Sequence, residues 1–214
     1  MAQPAPRPLF TLFGIPVRVE PWFFIIPAFA LQTRDLVGAL IWTVLVFTGV
    51  LAHEFGHALA MKRFGLQPSI QLHAMGGLTH YPPDADPSAR ESFFVTLAGP
   101  AVGLVIGLFA YAAQQVITVP SAEVQTALAD AVWINLGWSF VNLLPVLPWD
   151  GGHLLEAGLV WRTGRRHDRV VAASSALVGG AIIAYAAVSS SLLLGYFGAM
   201  GLLEGWKRWQ RATG

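Results

Sequence analysis

The chain reads as long apolar runs separated by short breaks rich in Pro, Gly and polar residues. The run 36–61 is long enough to cross a hydrocarbon core of about 30 Å as a helix. It ends on Lys62 and Arg63, and Gly65 follows as a helix stop. The runs 92–119 and 127–144 predict two further spans, the second breaking at Pro145 and Pro148. The stretch from Val170 to Trp206 is too long for one helix, and Ser189, Ser190 and Ser191 divide it into spans 170–188 and 192–206. A shorter apolar run, 22–33, opens after Pro21 and spans only if it tilts or extends. Residues 9–20 are too short and too β-branched for a span and predict one or two strands near the membrane surface. Residues 67–81 predict a hairpin around Met75, Gly76 and Gly77, and 82–87 (PPDADP) a loop. The expected fold class is an all-α membrane protein. It has about six transmembrane helices, with short membrane-associated β-strands near the N-terminus and after the second span, in a single domain 1–214.

Composition supports the membrane reading. The chain has 214 residues, 55% hydrophobic and 12% charged, with mean hydropathy +0.57. Soluble domains run nearer about one quarter charged. A soluble fold of this size cannot hide so much apolar surface, whereas lipid can solvate it. Net charge is +1, which gives no ground for a nucleic-acid partner. There are no cysteines, so disulfides, thiolate metal sites and thiol catalysis are excluded. Residues 1–8 are Pro-rich without an apolar core, so no cleavable signal peptide is expected.

Charge also sets an orientation. With six spans, both termini share one side, and of the 13 Lys and Arg only Arg34 falls on the other. The positive-inside rule then makes the shared side cytoplasmic and predicts a multi-pass cell-membrane protein with both termini in the cytoplasm.

Inside the second span stands His53-Glu54-Phe55-Gly56-His57. On a helix, positions i and i+4 lie on one face, so two imidazoles can share one metal ion with Glu54 beside them to activate water. A chance match to this pattern in a chain with this His and Glu content is about 0.005. Two histidines one turn apart can also be ordinary hydrogen-bonding core residues. Here they lie among Val50, Leu51, Ala52, Ala58 and Leu59, where each ionisable group costs about 2.5 kcal/mol or more and is functional by default.

A catalytic zinc keeps three protein ligands and one open position. Without Cys, the third is His, Asp or Glu. The best candidate is Asp150, in NLLPVLPWDGGH (142–153). It directly follows an apolar span at the depth expected for HEFGH, and Gly151 and Gly152 permit close backbone approach. Interrupted helix at membrane depth is tolerated only when buried in protein or lining a cavity. Taken alone, Asp150 reads better as a loop aspartate in a Pro/Gly turn.

HEFGH in an apolar helix, followed about a hundred residues later by N-x-x-P-x-x-P-x-D-G-G, resembles the site-2 protease family of intramembrane zinc metalloproteases. Phe13-Gly14-Ile15-Pro16-Val17, Gly76-Gly77 and Ala98-Gly99-Pro100 are similar to lesser features of that family. The resemblance covers nearly the whole chain. It implies one zinc ion per chain on His53, His57 and Asp150, Glu54 as general base, and Asn142 near the metal to help hold the substrate carbonyl. It also implies that a strand at 77–81 pairs with an unwound, single-span membrane protein substrate, that spans two to four form the catalytic core, and that the lipid bilayer surrounds them. A minimal form is expected, without PDZ-like or nucleotide-sensing domain, regulated by a partner protein or by a prior cut in the substrate, with a regulatory membrane partner or a homo-oligomer as its expected assembly. Glu20 departs from the family, standing where relatives often have histidine.

Other residues weigh less. His73 and His80 flank the hairpin and suit interfacial polar roles better than a second metal or a gate. His153 follows Asp150 on a new helix and is expected to point elsewhere. Gly99, Gly103 and Gly107 form a double GxxxG that favours close helix packing. The cluster Arg162 to Arg169 suits topology more than anionic-lipid binding. Trp22, Trp161, Trp206 and Trp209 suit an interfacial belt. Two other functions stay open from the residues alone. One is a catalytically inactive adaptor for membrane helices; the other is a metal transporter.

Overall fold

The computed structural model describes residues 8–117 and 121–213. Arg7 of the charge pattern, and Thr118 and Val119 of the expected third span, lie outside the described residues. The chain divides into two compact units. The first comprises the chain up to Asp86 with Ala101–Ser139, and the second comprises Pro87–Pro100 with Phe140–Gly214.

The first unit is built on one long helix and a small sheet. Strands β1 (Phe10–Leu12) and β2 (Ile15–Val19) form an antiparallel hairpin. It turns through Phe13 and Gly14, both at positive φ. β2 runs parallel to β3 (Ser69–His73), which pairs antiparallel with β4 (Gly76–His80), giving the order β1-β2-β3-β4. The two strand regions expected from the sequence are therefore present and join into one sheet. Alternation of side chains along a strand sends Ile15 and Val17 of β2, and Ile70 and Leu72 of β3, to one buried face. They pack in one core with Val50, Phe55 and Ala58 of α2 (Leu36–Arg63) and with Phe23. Gln71 Nε2 donates to Glu20 Oε1 across 2.5 Å, so Glu20 fastens the end of β2 to β3.

Helix α2 starts and stops on local signals. Asp35 caps it by accepting from the Gly38 amide at 2.8 Å. Lys62 and Arg63 fill its last turn, where the dipole favours cations, and Lys62 Nζ also donates to the Phe13 carbonyl at 2.6 Å. Before α2, the expected first span is a broken segment: a 3-10 turn Pro21–Phe24, a single turn α1 (Ile25–Ala28) and a second 3-10 turn Phe29–Gln32. Pro27 lies inside it and removes an amide donor where a continuous helix would need one. At about 1.5–2 Å rise per residue, twelve residues fall short of a core of about 30 Å.

Helix α3 (Ala89–Val116) opens on a reciprocal capping box. The Glu91 carboxylate accepts from the Ser88 amide at 2.8 Å, and Ser88 Oγ accepts from the Glu91 amide at 3.3 Å. The helix continues through Pro100. The fourth expected span, 127–144, begins earlier and ends earlier. It comprises α4 (Ala122–Val132), a π-helical turn Trp133–Gly137, and α5 (Trp138–Asn142). Ser121 caps α4 by accepting from the Val124 amide, which explains the earlier start. Within the first unit a Cβ on Gly103 would overlap Ser139, and one on Gly107 would overlap Leu136. Those two glycines of the GxxxG series therefore set a close helix approach, as small residues do in membrane bundles.

The second unit contains α6 (Asp150–Thr163), α7 (Asp168–Ser189) and α8 (Leu192–Thr213). α7 ends on Ser190 in the left-handed conformation, at φ 53°, and the two-residue link returns the chain as α8. Gly179 on α7 meets Gly198 and Gly201 of α8 backbone to backbone. Arg208 of α8 pairs with Glu156 of α6 and with Asp168 at the start of α7, the latter at 2.7 Å, tying three helices together at one end.

Among the described residues, three helices are long and apolar enough to cross a membrane, α2, α3 and α7. α8 covers the expected sixth span, 192–206, and runs on to Thr213, with Glu204, Lys207, Arg208 and Arg211 charging its second half. The described residues are mainly helical with one small sheet.

Candidate metal and catalytic site

HEFGH occupies the middle of the most buried stretch of α2. His53, Glu54 and His57 are 4%, 5% and 7% exposed. Nothing in the helix needs three ionisable groups there, since Val50, Phe55 and Ala58 supply the packing. The helical pitch carries His53 and His57 to one side, and their Nε2 atoms lie 3.1 Å apart with the rings edge to face. Two nitrogens that share a tetrahedral zinc at about 2.0–2.1 Å stand about 3.4 Å from each other. The pair is therefore within a few tenths of an ångström of the spacing that one ion requires. Both imidazoles present the same nitrogen, and neutral imidazole is the ligand form.

Glu54 is held from outside the helix. Strand β4 crosses over it, and Gly77 lies so close that a Cβ there would overlap the Cγ, Cδ and Oε1 of Glu54. Two residues on, and on the same side of the strand, Thr79 Oγ1 donates to Glu54 Oε2 at 2.7 Å. The same hydroxyl lies 3.2 Å from the Glu54 carbonyl. Thr79 escaped the sequence reading. Its signal was available, since 77 and 79 alternate onto one face of the strand, but the object that face would meet was not legible.

The remaining expected site residues belong to the second unit. Asn142 is buried at the end of α5. The chain after it turns through Pro145 and Pro148, held by Ser174 Oγ donating to the Pro145 carbonyl at 2.5 Å and by the Leu147 amide donating to Ser175 Oγ at 3.0 Å. Asp150 opens α6, where the helix dipole favours a carboxylate. Gly151 and Gly152 admit no side chain: a Cβ on Gly151 would overlap the Leu143 and Leu144 carbonyls, and one on Gly152 would crowd the backbone of Val146 and Leu147. The glycines are thus required by the turn that presents Asp150. His153 is exposed on α6. His73 pairs with Gly76 and His80 with Ser69, at opposite ends of the β3–β4 ladder. At about 3.4 Å per residue they stand too far apart to share an ion.

The chain matches known proteins along most of its length. The model of peptidase family M50 matches residues 113–186. A Synechocystis protein named among the zinc metalloproteases is 34% identical over 201 residues, covering 86% of this chain and 52% of that protein. A zinc metalloprotease of Methanocaldococcus jannaschii is 28% identical over 170 residues, 78% of this chain and 49% of that protein. The chain thus spans about half the length of the curated relatives it matches. The fold is that of a site-2 protease from Methanocaldococcus jannaschii, with TM-score 0.66 and 20% identity over 94% of this chain and 93% of that one. With its HEFGH helix and its NLLPVLPWDGG segment, the chain is similar to the proteins of peptidase family M50 and has the fold of a site-2 protease.

Proposed function

We propose that the protein is a zinc-dependent endopeptidase working inside the cell membrane. In this reading it hydrolyses peptide bonds in or near the transmembrane segments of single-span membrane proteins, as a step of regulated intramembrane proteolysis. The observation that carries the reading is the pair of Nε2 atoms 3.1 Å apart, with Glu54 beside them in the same buried stretch of an apolar helix. A bare hydrogen-bonded histidine pair would leave Glu54 without a purpose at a depth where its charge is expensive.

His53, His57 and Asp150 are assigned as the ligands of one zinc ion. Support for Asp150 comes from its place after the Pro-interrupted span, from the two glycines its turn requires, and from the family resemblance. Zinc, when bound, acts as a Lewis acid that polarises a carbonyl and acidifies a water. Glu54 takes the proton of the attacking water and returns it to the leaving amine. Asn142 donates to the substrate carbonyl and orients it. A transmembrane substrate must locally unwind before its backbone is accessible. β4 is the last strand of the sheet order, and its open edge compensates the backbone hydrogen bonds that the substrate loses. The positive-inside pattern supports a multi-pass arrangement with cytoplasmic termini, and a membrane partner or a prior cut in the substrate supplies regulation.

The test is cleavage of a panel of single-span substrates by purified protein in detergent, with wild type beside Glu54→Gln and zinc counted in both. Cleavage by wild type alone, with equal zinc, supports the reading. Zinc in neither protein, or full activity in Glu54→Gln, overturns it.

A further inference from the structure

The geometry points to Thr79 as the positioning residue of the general base: its hydroxyl fixes the Glu54 carboxylate and couples it to the strand that receives substrate. The assignment rests on the function proposed above and extends it to a residue outside the metal-binding motif.

Glu54 needs an anchor. It has three rotatable side-chain bonds, its helix neighbours Phe55 and Ala58 are apolar core residues, and His53 and His57 are assigned to the metal. A base that samples several rotamers spends much of its time away from the proton it must take, and misplacement of about 1 Å costs on the order of a hundredfold in rate. Among the described residues, Thr79 is the one hydrogen-bond donor to that carboxylate, at 2.7 Å. It satisfies Oε2 and leaves Oε1 as the acceptor for a proton.

The donor is itself rigid. Threonine is β-branched and stiff at χ1. Its strand is laddered to β3 through Ser69↔His80, Ile70↔Thr79, Gln71↔Leu78, Leu72↔Gly77 and His73↔Gly76. β3 in turn buries Ile70 and Leu72 at 1% and 0% exposure against the α2 core. Gly77 makes the contact sterically available, because any larger residue would overlap Glu54 and displace either the strand or the carboxylate. Two residues two apart on one strand face thus do different work on the same side chain. Gly77 admits β4 to it, and Thr79 bonds it.

This arrangement has a consequence for catalysis. A segment that pairs along β4 settles the strand on Glu54, so substrate binding and alignment of the base share one element. Loss of the Thr79 hydroxyl then leaves substrate affinity and zinc intact while it degrades the chemical step.

The experiment compares Thr79→Val, which keeps the shape and removes the donor, with Thr79→Ser, which keeps the donor. Both are measured on the full chain for kcat and KM separately, for zinc per chain and for thermal stability. Affinity for uncleaved substrate is measured by anisotropy in Glu54→Gln and in Glu54→Gln/Thr79→Val. A lost hydrogen bond to a charged group predicts kcat lower by about tenfold to a hundredfold in Thr79→Val. KM, zinc and affinity are expected within about twofold of their references, and Thr79→Ser within about threefold of wild type. The assignment is overturned if Thr79→Val keeps kcat within about twofold, if Thr79→Ser loses as much as Thr79→Val, or if the loss appears in KM and affinity. No zinc and no cleavage in the wild type would instead sink the proposed function, and this assignment with it.

Discussion

Gly77 passes over Glu54 at a distance that excludes even a methyl group, since a Cβ there would occupy the space of the glutamate Cγ and Cδ. The expected catalytic base and the edge strand are therefore fitted to each other, although 23 positions of chain separate them.

Gly77→Ala is expected to displace either the strand or the carboxylate. Overpacking of this kind costs about 1–3 kcal/mol. A melting curve should show that loss, and cleavage should fall further than stability alone explains. A variant with wild-type stability and wild-type rate would mean that the fit between β4 and Glu54 is not required.

A second contact lies at the opposite end of α2. Arg34 forms a two-pronged pair with Asp130 of α4, at 2.5 and 2.9 Å, and its guanidinium also stacks over Trp42 at 4.8 Å. Asp130→Asn removes the charge and one good acceptor, and should destabilise the protein by about 1–3 kcal/mol without change in zinc content. The exchange Arg34→Asp with Asp130→Arg should restore part of the loss, read by thermal denaturation in detergent. Equal stability of wild type and Asp130→Asn would show the pair to be energetically neutral.

Metal removal tests the ligand set. Treatment with a strong chelator should abolish cleavage, and added zinc should restore it. Asp150→Ala should weaken zinc retention by more than about a hundredfold, since even residues behind the ligands cost tenfold to a hundredfold. Unchanged zinc content in Asp150→Ala would move the third ligand elsewhere.

The turn before Asp150 makes a separate prediction. Gly151→Ala would push a methyl into the Leu143 and Leu144 carbonyls, so the turn must open. Zinc retention should fall together with stability in this variant, whereas His153→Ala, on an exposed side chain of α6, should leave both unchanged. The two variants are compared by metal analysis of purified protein.

What the sequence determined by itself is local. HEFGH puts His53 and His57 one turn apart on any helix, because the pitch is a property of the backbone, and the apolar run around it makes that helix certain to be long. The strand regions β1–β2 and β3–β4 are legible between turn signals, and Lys62-Arg63 with Gly65 mark the end of α2 within a residue or two. The helix limits near Ser121 and Pro27 follow from equally local chemistry, a capping hydroxyl and a missing amide, which apolar content does not register. Tertiary structure alone decided which surfaces meet. No periodicity announces that Thr79 will bond Glu54, that Arg34 will find Asp130 across 96 positions, or that β2 will run parallel to β3. Such contacts depend on the shapes of surfaces brought together by packing, and a glycine at 77 acquires its meaning only when a glutamate lies beneath it.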